Sequence, residues 1–267
     1  MLDIENLSLV FSKGTVNEHK ALDNISLHLD CGEFVTVLGS NGAGKSSLFN
    51  AICGTHEPEA GRIKLDGEDI TWMAEHRRAH IIGRLFQDPM KGTAPDMTIE
   101  ENLALAYARG SRGAFSRAVR KSDQIFFRDR LAEFHMGLEN RMKTKVGLLS
   151  GGQRQAMTLL MATVASPKLL LLDEHAAALD PGTAETVLNI TRDIVAKQGI
   201  TTMMITHNMV SALALGNRTI MMDAGRIILD IKGQERADMT LDELLERYAK
   251  SSGARLSTDR VLLSMKK

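Results

Sequence analysis

Cysteine is scarce in this 267-residue sequence, and a net charge is absent from it. The two cysteines, Cys31 and Cys53, match neither a disulfide framework nor a metal-binding motif, which fits a reducing compartment. Lysine plus arginine total 33, as do aspartate plus glutamate, so no overall positive field attracts nucleic acid. We therefore expect no nucleic-acid partner, and any charged ligand must be bound by local groups.

Long hydrophobic segments are also lacking. The N-terminal residues do not have the basic and apolar regions of a signal peptide in order. Residues 199–217 contain no Asp, Glu, Lys or Arg and approach the roughly 20 residues of a membrane-spanning helix. However, threonines occupy the start of this segment and His207-Asn208 its middle, so it is interpreted as a strand, a loop and a short helix. We expect a cytoplasmic chain that reaches a membrane only through a partner.

Phosphate binding is predicted by residues 39–47, GSNGAGKSS, which match the pattern GxxxxGK[ST]. A short apolar strand precedes them and a helix that stops at Gly54 follows. In this context, backbone N–H groups curl around phosphate oxygens and the helix N-terminus supplies a positive dipole end. Lys45 would contact the outer phosphates and the Ser46 hydroxyl would hold Mg²⁺. The predicted nucleotide contacts are Gly39, Ser40, Asn41, Gly42, Ala43, Gly44, Lys45, Ser46 and Ser47.

The remaining pattern predicts an α/β fold with a P-loop NTPase core and a mainly parallel sheet. Apolar residues alternate within 2–11 and 25–29, which predicts an N-terminal antiparallel β subdomain. Residues 98–165 are helical in character and predict an inserted α-helical subdomain. We predict one domain over 1–267, with 1–88 and 166–267 forming the core with its antiparallel part and about 89–165 forming the helical subdomain. Within the insertion, the basic stretch from Arg109 to Arg120 is either a solvated face or a phosphate patch.

The helix that follows Leu149-Ser-Gly-Gly-Gln153 begins with a pattern that has two interpretations. Ser150 followed three residues later by Gln153 is a capping box, which needs no ligand. Gly151 and Gly152 in the first turn each cost the helix roughly 1 kcal/mol, which indicates a close approach to the backbone. An anion is the natural guest at a helix N-terminus, so both interpretations stay open.

Two adjacent acids end the apolar run 169–172, which is typical of a central parallel strand. Open α/β sheets bind ligands at the carboxyl ends of their strands, and P-loop enzymes need a second Mg²⁺ contact and a water-orienting group there. We predict that Asp173 serves the metal, usually through water, and that Glu174 acts on the attacking water. An ordinary acidic loop is the alternative. After the next helix and strand, His207 is either a core histidine or a phosphate contact.

The order of these features resembles the ATPase subunit of an ATP-binding cassette (ABC) transporter, over nearly the whole chain. The P-loop is followed by Gln87 at a strand end, then by LSGGQ, Asp173-Glu174 and a histidine after the next strand. The resemblance implies that Phe11, otherwise open to a core interpretation, stacks on adenine. It also implies that Gln87 links Mg²⁺ and water to the membrane partner, and that His207 contacts the terminal phosphate.

The family resemblance also implies a mechanism and partners. Each nucleotide would lie between the P-loop of one subunit and the signature residues of a second copy, so that ATP binding closes the dimer and hydrolysis opens it. Asp180-Pro181 predicts an N-cap followed by proline at the first helical position, and capping alone explains Asp180. The resemblance implies in addition that residues 177–180 would cross to the second subunit, and that the contacts across the dimer would come from Ser150, Gly151, Gly152, Gln153 and Asp180. We expect ATP and Mg²⁺ as cofactors. We also expect integral membrane permease subunits and an extracytoplasmic solute-binding protein as partners, at the cytoplasmic face of the membrane.

The lack of a fused membrane span favours an importer, and residues 92–102 together with 103–110 resemble a bacterial subgroup that is paired with binding proteins for amino acids, aromatic ones among them. A soluble ABC ATPase of iron–sulfur cluster assembly is the alternative. Two departures from the family pattern stand out. His175-Ala176 replaces Pro-Thr, and the P-loop ends in Ser46-Ser47 instead of Ser-Thr. His175 either adds a pH-sensitive contact or is a loop substitution without consequence.

Overall fold

The structure is a computed structural model that describes residues 1–109 and 120–251. The predicted basic stretch, apart from Arg109 and Arg120 themselves, lies outside the described residues, as does the tail after Ser251. The chain divides into two compact units, and each is described by itself. One unit contains residues 1–78 together with the residues from 201 onward, and the other contains residues 79–200. This division does not test the predicted subdomain limits, which stay a prediction.

The elements are numbered in chain order. The strands are β1 (Leu2–Phe11), β2 (His19–Leu29), β3 (Phe34–Gly39), β4 (Ala60–Leu65), β5 (Glu68–Asp69), β6 (Ile82–Leu85), β7 (Leu169–Asp173), β8 (Thr201–Ile205), β9 (Arg218–Asp223) and β10 (Arg226–Lys232). The helices are α1 (Lys45–Cys53), α2 (Glu75–Arg78), α3 (Ile99–Ala108), α4 (Lys121–Ala132), α5 (Gly151–Thr163), α6 (Pro181–Gln198), α7 (Met209–Leu215), α8 (Gly233–Ala237) and α9 (Leu241–Ser251). Short 3-10 turns lie at Pro89–Gly92, Leu138–Asn140 and Val146–Leu148.

The first unit begins with the predicted antiparallel sheet, whose strand order is β2-β1-β4-β5. In β1 the apolar residues Leu2, Ile4, Leu7 and Leu9 are all buried. Their alternation changes phase between Ile4 and Leu7, where the pairing with β2 shifts register and Asn6 adopts a left-handed backbone with φ 50°. A β-bulge of this kind returns the following apolar residues to the buried face of the sheet.

The same unit contains a second set of strands built around β3. Strand β3 pairs in parallel with β8 and with β9, and β10 pairs antiparallel with β9. Residues Phe34 to Leu38 of β3 are all buried, as expected for a central parallel strand. Helices α7 and α9 contribute to a core cluster with this sheet, in which Leu38, Met209, Met221 and Leu244 pack together. The P-loop follows directly after the carboxyl end of β3.

The second unit contains the predicted helical insertion together with β6 and β7, which pair in parallel with Leu85 opposite Leu172. Residues Leu169 to Leu172 of β7 are completely buried, as their uninterrupted apolar pattern predicts. In helix α4, Ile125 is 59% exposed, while Phe127 is buried. The fold class is confirmed as a mixed α/β architecture with an antiparallel sheet, a largely parallel sheet and helices.

The segment 199–217 forms β8, a loop and α7, which confirms its interpretation as a strand, a loop and a short helix. Across the described ranges 1–109 and 120–251, none of the helices combines the length and apolar character that a bilayer crossing requires.

Candidate functional site

The P-loop of the first unit joins the end of β3 to the start of α1. Gly44 is the N-cap of α1, has φ 100° and leaves the helix N-terminus without a side-chain cap. A Cβ at Gly44 would lie 2.6 Å from the Ala21 carbonyl oxygen, and one at Gly39 would collide with the Met222 carbonyl oxygen. These two positions therefore require glycine for both backbone conformation and space. The loop leaves α1 with backbone N–H donors at its first turn, as a phosphate site needs.

Lys45 is held inside this loop. Its side chain is 6% exposed, and Nζ donates to the carbonyl oxygens of Gly39 at 2.7 Å and Ser40 at 2.9 Å. An ammonium held on the loop's own carbonyls needs little rearrangement to contact an anion bound in the loop. Ser46, the predicted Mg²⁺ ligand, is exposed at the first turn of α1.

The far end of α1 is fixed by Arg78, a residue that the sequence analysis did not identify. Its guanidinium is 2% exposed and donates to the carbonyl oxygens of Ala51 and Ile52, both at 2.8 Å. It also donates to the carbonyl oxygens of Met73 at 2.7 Å and Thr71 at 2.8 Å. A cation at a helix C-terminus satisfies carbonyls that lack helical partners. The adjacent Arg77 is exposed, and nothing in the local sequence distinguishes the two.

Two predicted nucleotide contacts of the first unit lie on other elements. Phe11 is half-buried at the end of β1, and its ring packs edge to face on His56 with 5.1 Å between ring centroids. His207 follows β8 and is exposed, so the interpretation of His207 as a core histidine is wrong. The roles of Phe11 at adenine and of His207 at the terminal phosphate stay predictions.

The second unit brings Gln87 and Glu174 together. They follow the parallel strands β6 and β7, and Gln87 Nε2 donates to Glu174 Oε2 at 3.3 Å. Glu174 adopts a left-handed backbone with φ 45°. This conformation costs a non-glycine residue about 1–2 kcal/mol, so the surrounding structure must maintain it. Asp173, the last residue of β7, is half-buried immediately before it.

His175 is buried next to Glu174 and bonds to α6. Its exposed fraction is 3%, and its Nε2 lies 3.0 Å from Thr191 Oγ1. Burial lowers the pKa of His175 to about 4, so the imidazole is neutral at physiological pH. The expectation of a pH-sensitive contact is therefore wrong for the neutral range, and the burial also argues against a substitution without consequence.

The signature segment forms the predicted capping box at the start of α5. The Ser150 hydroxyl accepts from the Gln153 backbone N–H at 3.2 Å, and Ser150 is exposed. A Cβ at Gly152 would collide with Thr183 Cγ2 of α6, and a Cβ at Gly151 would lie 3.3 Å from Leu179 Cδ2. Thr183 and Leu179 of the same chain therefore already approach the backbone of these glycines closely. Packing explains them, and it leaves the anion interpretation as a prediction.

Asp180 is the N-cap of α6, as predicted. Its Oδ1 accepts from the Thr183 backbone N–H at 3.1 Å, and hydrogen bonding by Thr183 holds the pKa of Asp180 below its usual range. Pro181 occupies the first turn of the helix, and Gly199 ends the helix in a left-handed conformation. Asp180 is exposed, and its role toward a second subunit stays a prediction.

The predicted metal ligands have the chemistry that Mg²⁺ prefers. Ser46 offers a hydroxyl, Asp173 a carboxylate and Gln87 an amide oxygen, since its amide nitrogen donates to Glu174. Mg²⁺ is usually bound by one or two carboxylates together with substrate phosphates, not by an all-protein cage. The ranges that the structure describes contain no cluster of three His, Cys, Asp or Glu side chains able to hold a metal.

Comparison with known proteins gives a consistent result. The chain is 43% identical to a tyrosine transport ATP-binding protein of Clostridioides difficile, over 93% of this chain and 98% of that protein. It is 34% identical to a methionine import ATP-binding protein of Rhizobium etli, over 84% of this chain but 60% of the longer relative. An ATP-binding cassette solved as a dimer in a post-hydrolysis state with ADP and phosphate superposes with a TM-score of 0.76. It is 27% identical to this chain, of which it covers 87%, and the match covers 98% of the cassette.

The sequence model of the ABC transporter family matches residues 22–177, which contain the P-loop, Gln87, the signature segment and Asp173-Glu174. These similarities agree with the P-loop geometry of the first unit and with the acidic strand end of the second. The chain belongs to the ABC transporter family and is an ATPase domain of that family.

Proposed function

We propose that this chain is the ATP-hydrolysing subunit of a system that imports a small solute, an amino acid such as tyrosine, across the cytoplasmic membrane. The relative from Clostridioides difficile, which the chain matches over nearly its whole length, is named for tyrosine transport. The relative from Rhizobium etli is named for methionine import. Both names refer to transport, which favours uptake over the alternative of iron–sulfur cluster assembly.

In this proposal the first unit binds the nucleotide. The backbone of residues 39–47 surrounds the phosphates, and the Lys45 ammonium contacts the outer ones. Phe11 stacks on adenine, and His207 contacts the terminal phosphate. The uncapped N-terminus of α1 and the buried, oriented Lys45 support this assignment. Replacing Lys45 by alanine should therefore weaken ATP binding at least tenfold, measured by equilibrium titration of the purified chain.

The second unit supplies the groups that act on water. The observation that carries this part is the 3.3 Å hydrogen bond from Gln87 Nε2 to Glu174 Oε2 at the ends of β6 and β7. It restricts the rotation of the Glu174 carboxylate, which would orient the attacking water or accept its proton. Ser46, Gln87 and Asp173 would hold Mg²⁺, which when bound neutralises charge on the outer phosphates.

A second copy of the chain would complete each nucleotide site. In the proposed dimer, Ser150, Gly151, Gly152, Gln153 and Asp180 of one subunit contact the ATP bound by the P-loop of its partner. The exposure of Ser150 and Asp180 supports this arrangement. A similar cassette has also been solved as a dimer. ATP binding would close the dimer and phosphate release would open it.

The dimer would act at the cytoplasmic face of the membrane, on integral permease subunits. An extracytoplasmic solute-binding protein would deliver the solute to them. Isolation of the tagged chain from detergent-solubilised host membranes should recover a permease. Vesicles that contain both, together with the solute-binding protein, should then take up labelled tyrosine or methionine when ATP is supplied. Uptake of neither tyrosine nor methionine would contradict the amino-acid assignment.

The catalytic assignment is tested by replacing Glu174 with glutamine, which keeps an oxygen that can accept from Gln87. The variant should bind ATP like the parent but lose a factor of about 10²–10⁴ in kcat. The matched control is Glu185→Gln, on the exposed face of α6, which should leave kcat unchanged. Parental turnover by the Glu174 variant would show that another group acts on the water.

A further inference from the structure

We propose that His175 is a positioning residue that fixes the Glu174 carboxylate by anchoring the catalytic loop to Thr191 of α6. The proposal rests on the assignment of Glu174 given under the proposed function. All of the groups involved lie within the unit of residues 79–200.

The backbone conformation of Glu174 must be maintained by its neighbours. A left-handed conformation at φ 45° is unfavourable for glutamate, so it persists only where neighbouring contacts determine it. On one side, β7 holds Asp173 in the sheet. On the other side, the next residue is the buried His175, whose ring reaches α6. The loop that carries Glu174 is thus fixed at both flanks.

The hydrogen bond between His175 and Thr191 has a defined donor and acceptor. Thr191 is completely buried, and its hydroxyl donates to the Val187 carbonyl oxygen at 2.8 Å. Because the single hydroxyl proton is used there, Thr191 Oγ1 accepts from His175 Nε2–H at 3.0 Å. The bond therefore requires the neutral Nε2–H tautomer of the imidazole, which agrees with its burial. Each partner fixes the orientation of the other.

Helix α6 contacts both the catalytic loop and the signature helix. The first turn of this helix packs on the signature helix α5, because Thr183 fills the space in which a Cβ of Gly152 would lie. The His175–Thr191 bond consequently connects the catalytic loop to the same helix that supports the signature segment. A change in α6 would reach Glu174 through this bond.

Substitutions of the pair separate positioning from packing. His175→Leu combined with Thr191→Val replaces both polar partners by apolar groups of similar size, which can leave stability nearly unchanged. The apolar pair cannot specify an orientation, however. We expect a thermal midpoint close to that of the parent, a KM for ATP within about twofold, and a kcat lowered about tenfold, because the orientation matters for the reaction and not for binding.

Two conservative single variants should retain turnover. His175→Gln keeps an N–H donor at the ε position and Thr191→Ser keeps the hydroxyl, so both should retain kcat within about threefold of the parent. Thr163→Val is the matched control for Thr191→Val. Thr163 is also buried on a helix of this unit, and its hydroxyl donates to the Leu159 carbonyl oxygen at 2.8 Å. The control should leave kcat within about twofold.

The experiment measures ATP hydrolysis and ATP binding by the purified full-length chain, with Glu174→Gln in parallel. A parental kcat in the double variant that combines His175→Leu with Thr191→Val, or an equal loss in Thr163→Val, overturns the proposal. If the histidine variants do not fold, the comparison of Thr191→Val with Thr191→Ser decides by itself, since it leaves the catalytic loop unchanged. An inactive Glu174→Gln together with a fully active double variant refutes only the role of His175. An active Glu174→Gln refutes the assignment of Glu174 and the positioning role with it.

Discussion

The anchoring of the P-loop helix by Arg78 gives a prediction whose size follows from the structure. The guanidinium is almost completely buried and makes four hydrogen bonds of 2.7–2.8 Å to backbone carbonyl oxygens. None of these partners is a carboxylate, and burial lowers the pKa of Arg78 because the charge is desolvated. The desolvation cost offsets part of the gain. The four bonds therefore contribute less than the sum of separate charged hydrogen bonds, each of which is worth about 1.5–3 kcal/mol.

Replacing Arg78 by methionine retains a long apolar stem but leaves four carbonyl groups without this donor. We expect a loss of about 3–5 kcal/mol in the free energy of unfolding, because each buried carbonyl left unsatisfied costs about 1–3 kcal/mol and the relieved desolvation of the guanidinium offsets part of the total. Arg78→Lys keeps the charge but not the planar arrangement of donors, and should lose about 2 kcal/mol. The matched control is Arg77→Met at the exposed neighbouring position, which should change the free energy by about 0.5 kcal/mol or less.

Urea titration measures these differences, and the chain carries a convenient probe. Trp72 is its single tryptophan and lies between Thr71 and Met73, whose carbonyl oxygens accept from Arg78. Tryptophan fluorescence therefore reports on this region, while circular dichroism reports on the whole chain. Coincident transitions justify a two-state treatment. If Arg78→Met and Arg77→Met unfold within about 1 kcal/mol of each other, the anchoring role is refuted.

Two further predictions concern packing and pH. Gly152→Ala places a methyl group against Thr183 and should destabilise the chain by about 1–3 kcal/mol, with a lower thermal midpoint. Adding Thr183→Ser removes the colliding methyl group and should restore most of the midpoint, and failure of this rescue would contradict the packing explanation. Hydrogen bonds to Asp3 and Asp30 raise the pKa of His28 in the folded chain. The stabilisation is therefore fully present below the unfolded pKa of 6.5 and is lost as the pH rises through the raised folded value. Denaturant titrations at pH 6 and pH 9 should show that His28→Gln is more destabilising at pH 6. The difference should be less than about 1 kcal/mol because His28 and its carboxylate partners are exposed. Equal losses of stability at both pH values would refute the link between the pKa of His28 and stability.

Local patterns in the sequence predicted the features that depend on local physics. The alternation in β1, the uninterrupted apolar run of β7 and the N-cap at Asp180 each follow from a few consecutive residues. The P-loop is predictable in part for the same reason, because Gly39 and Gly44 both adopt a positive φ. The residues that also exclude a Cβ at these positions, Met222 and Ala21, lie elsewhere in the chain and were not predicted. The local features arise from periodicity and turn chemistry.

Features that depend on tertiary packing were not predictable from the sequence. Arg78 and Arg77 have the same local context, yet one is buried and the other exposed. Ile125 and Phe127 lie on opposite faces of α4, and packing decides which face is buried. The partner of His175 lies 16 residues further along the chain. The neighbour of Gly152 belongs to another helix. In each case the deciding contact comes from a residue that sequence spacing does not identify.

In the proposed arrangement each ATP site is built from two copies of this chain, and light scattering of Glu174→Gln tests this directly. A single chain has a mass of 29.3 kDa. With ATP and Mg²⁺ the mass should double, while with ADP it should not. Ser150→Asp provides the decisive control, since aspartate also caps a helix but places a negative charge where the partner's triphosphate is expected. Adding Ser150→Asp should abolish the ATP-dependent dimer. A Glu174→Gln chain that stays monomeric with ATP, or a dimer that persists when Ser150→Asp is added, would contradict this arrangement.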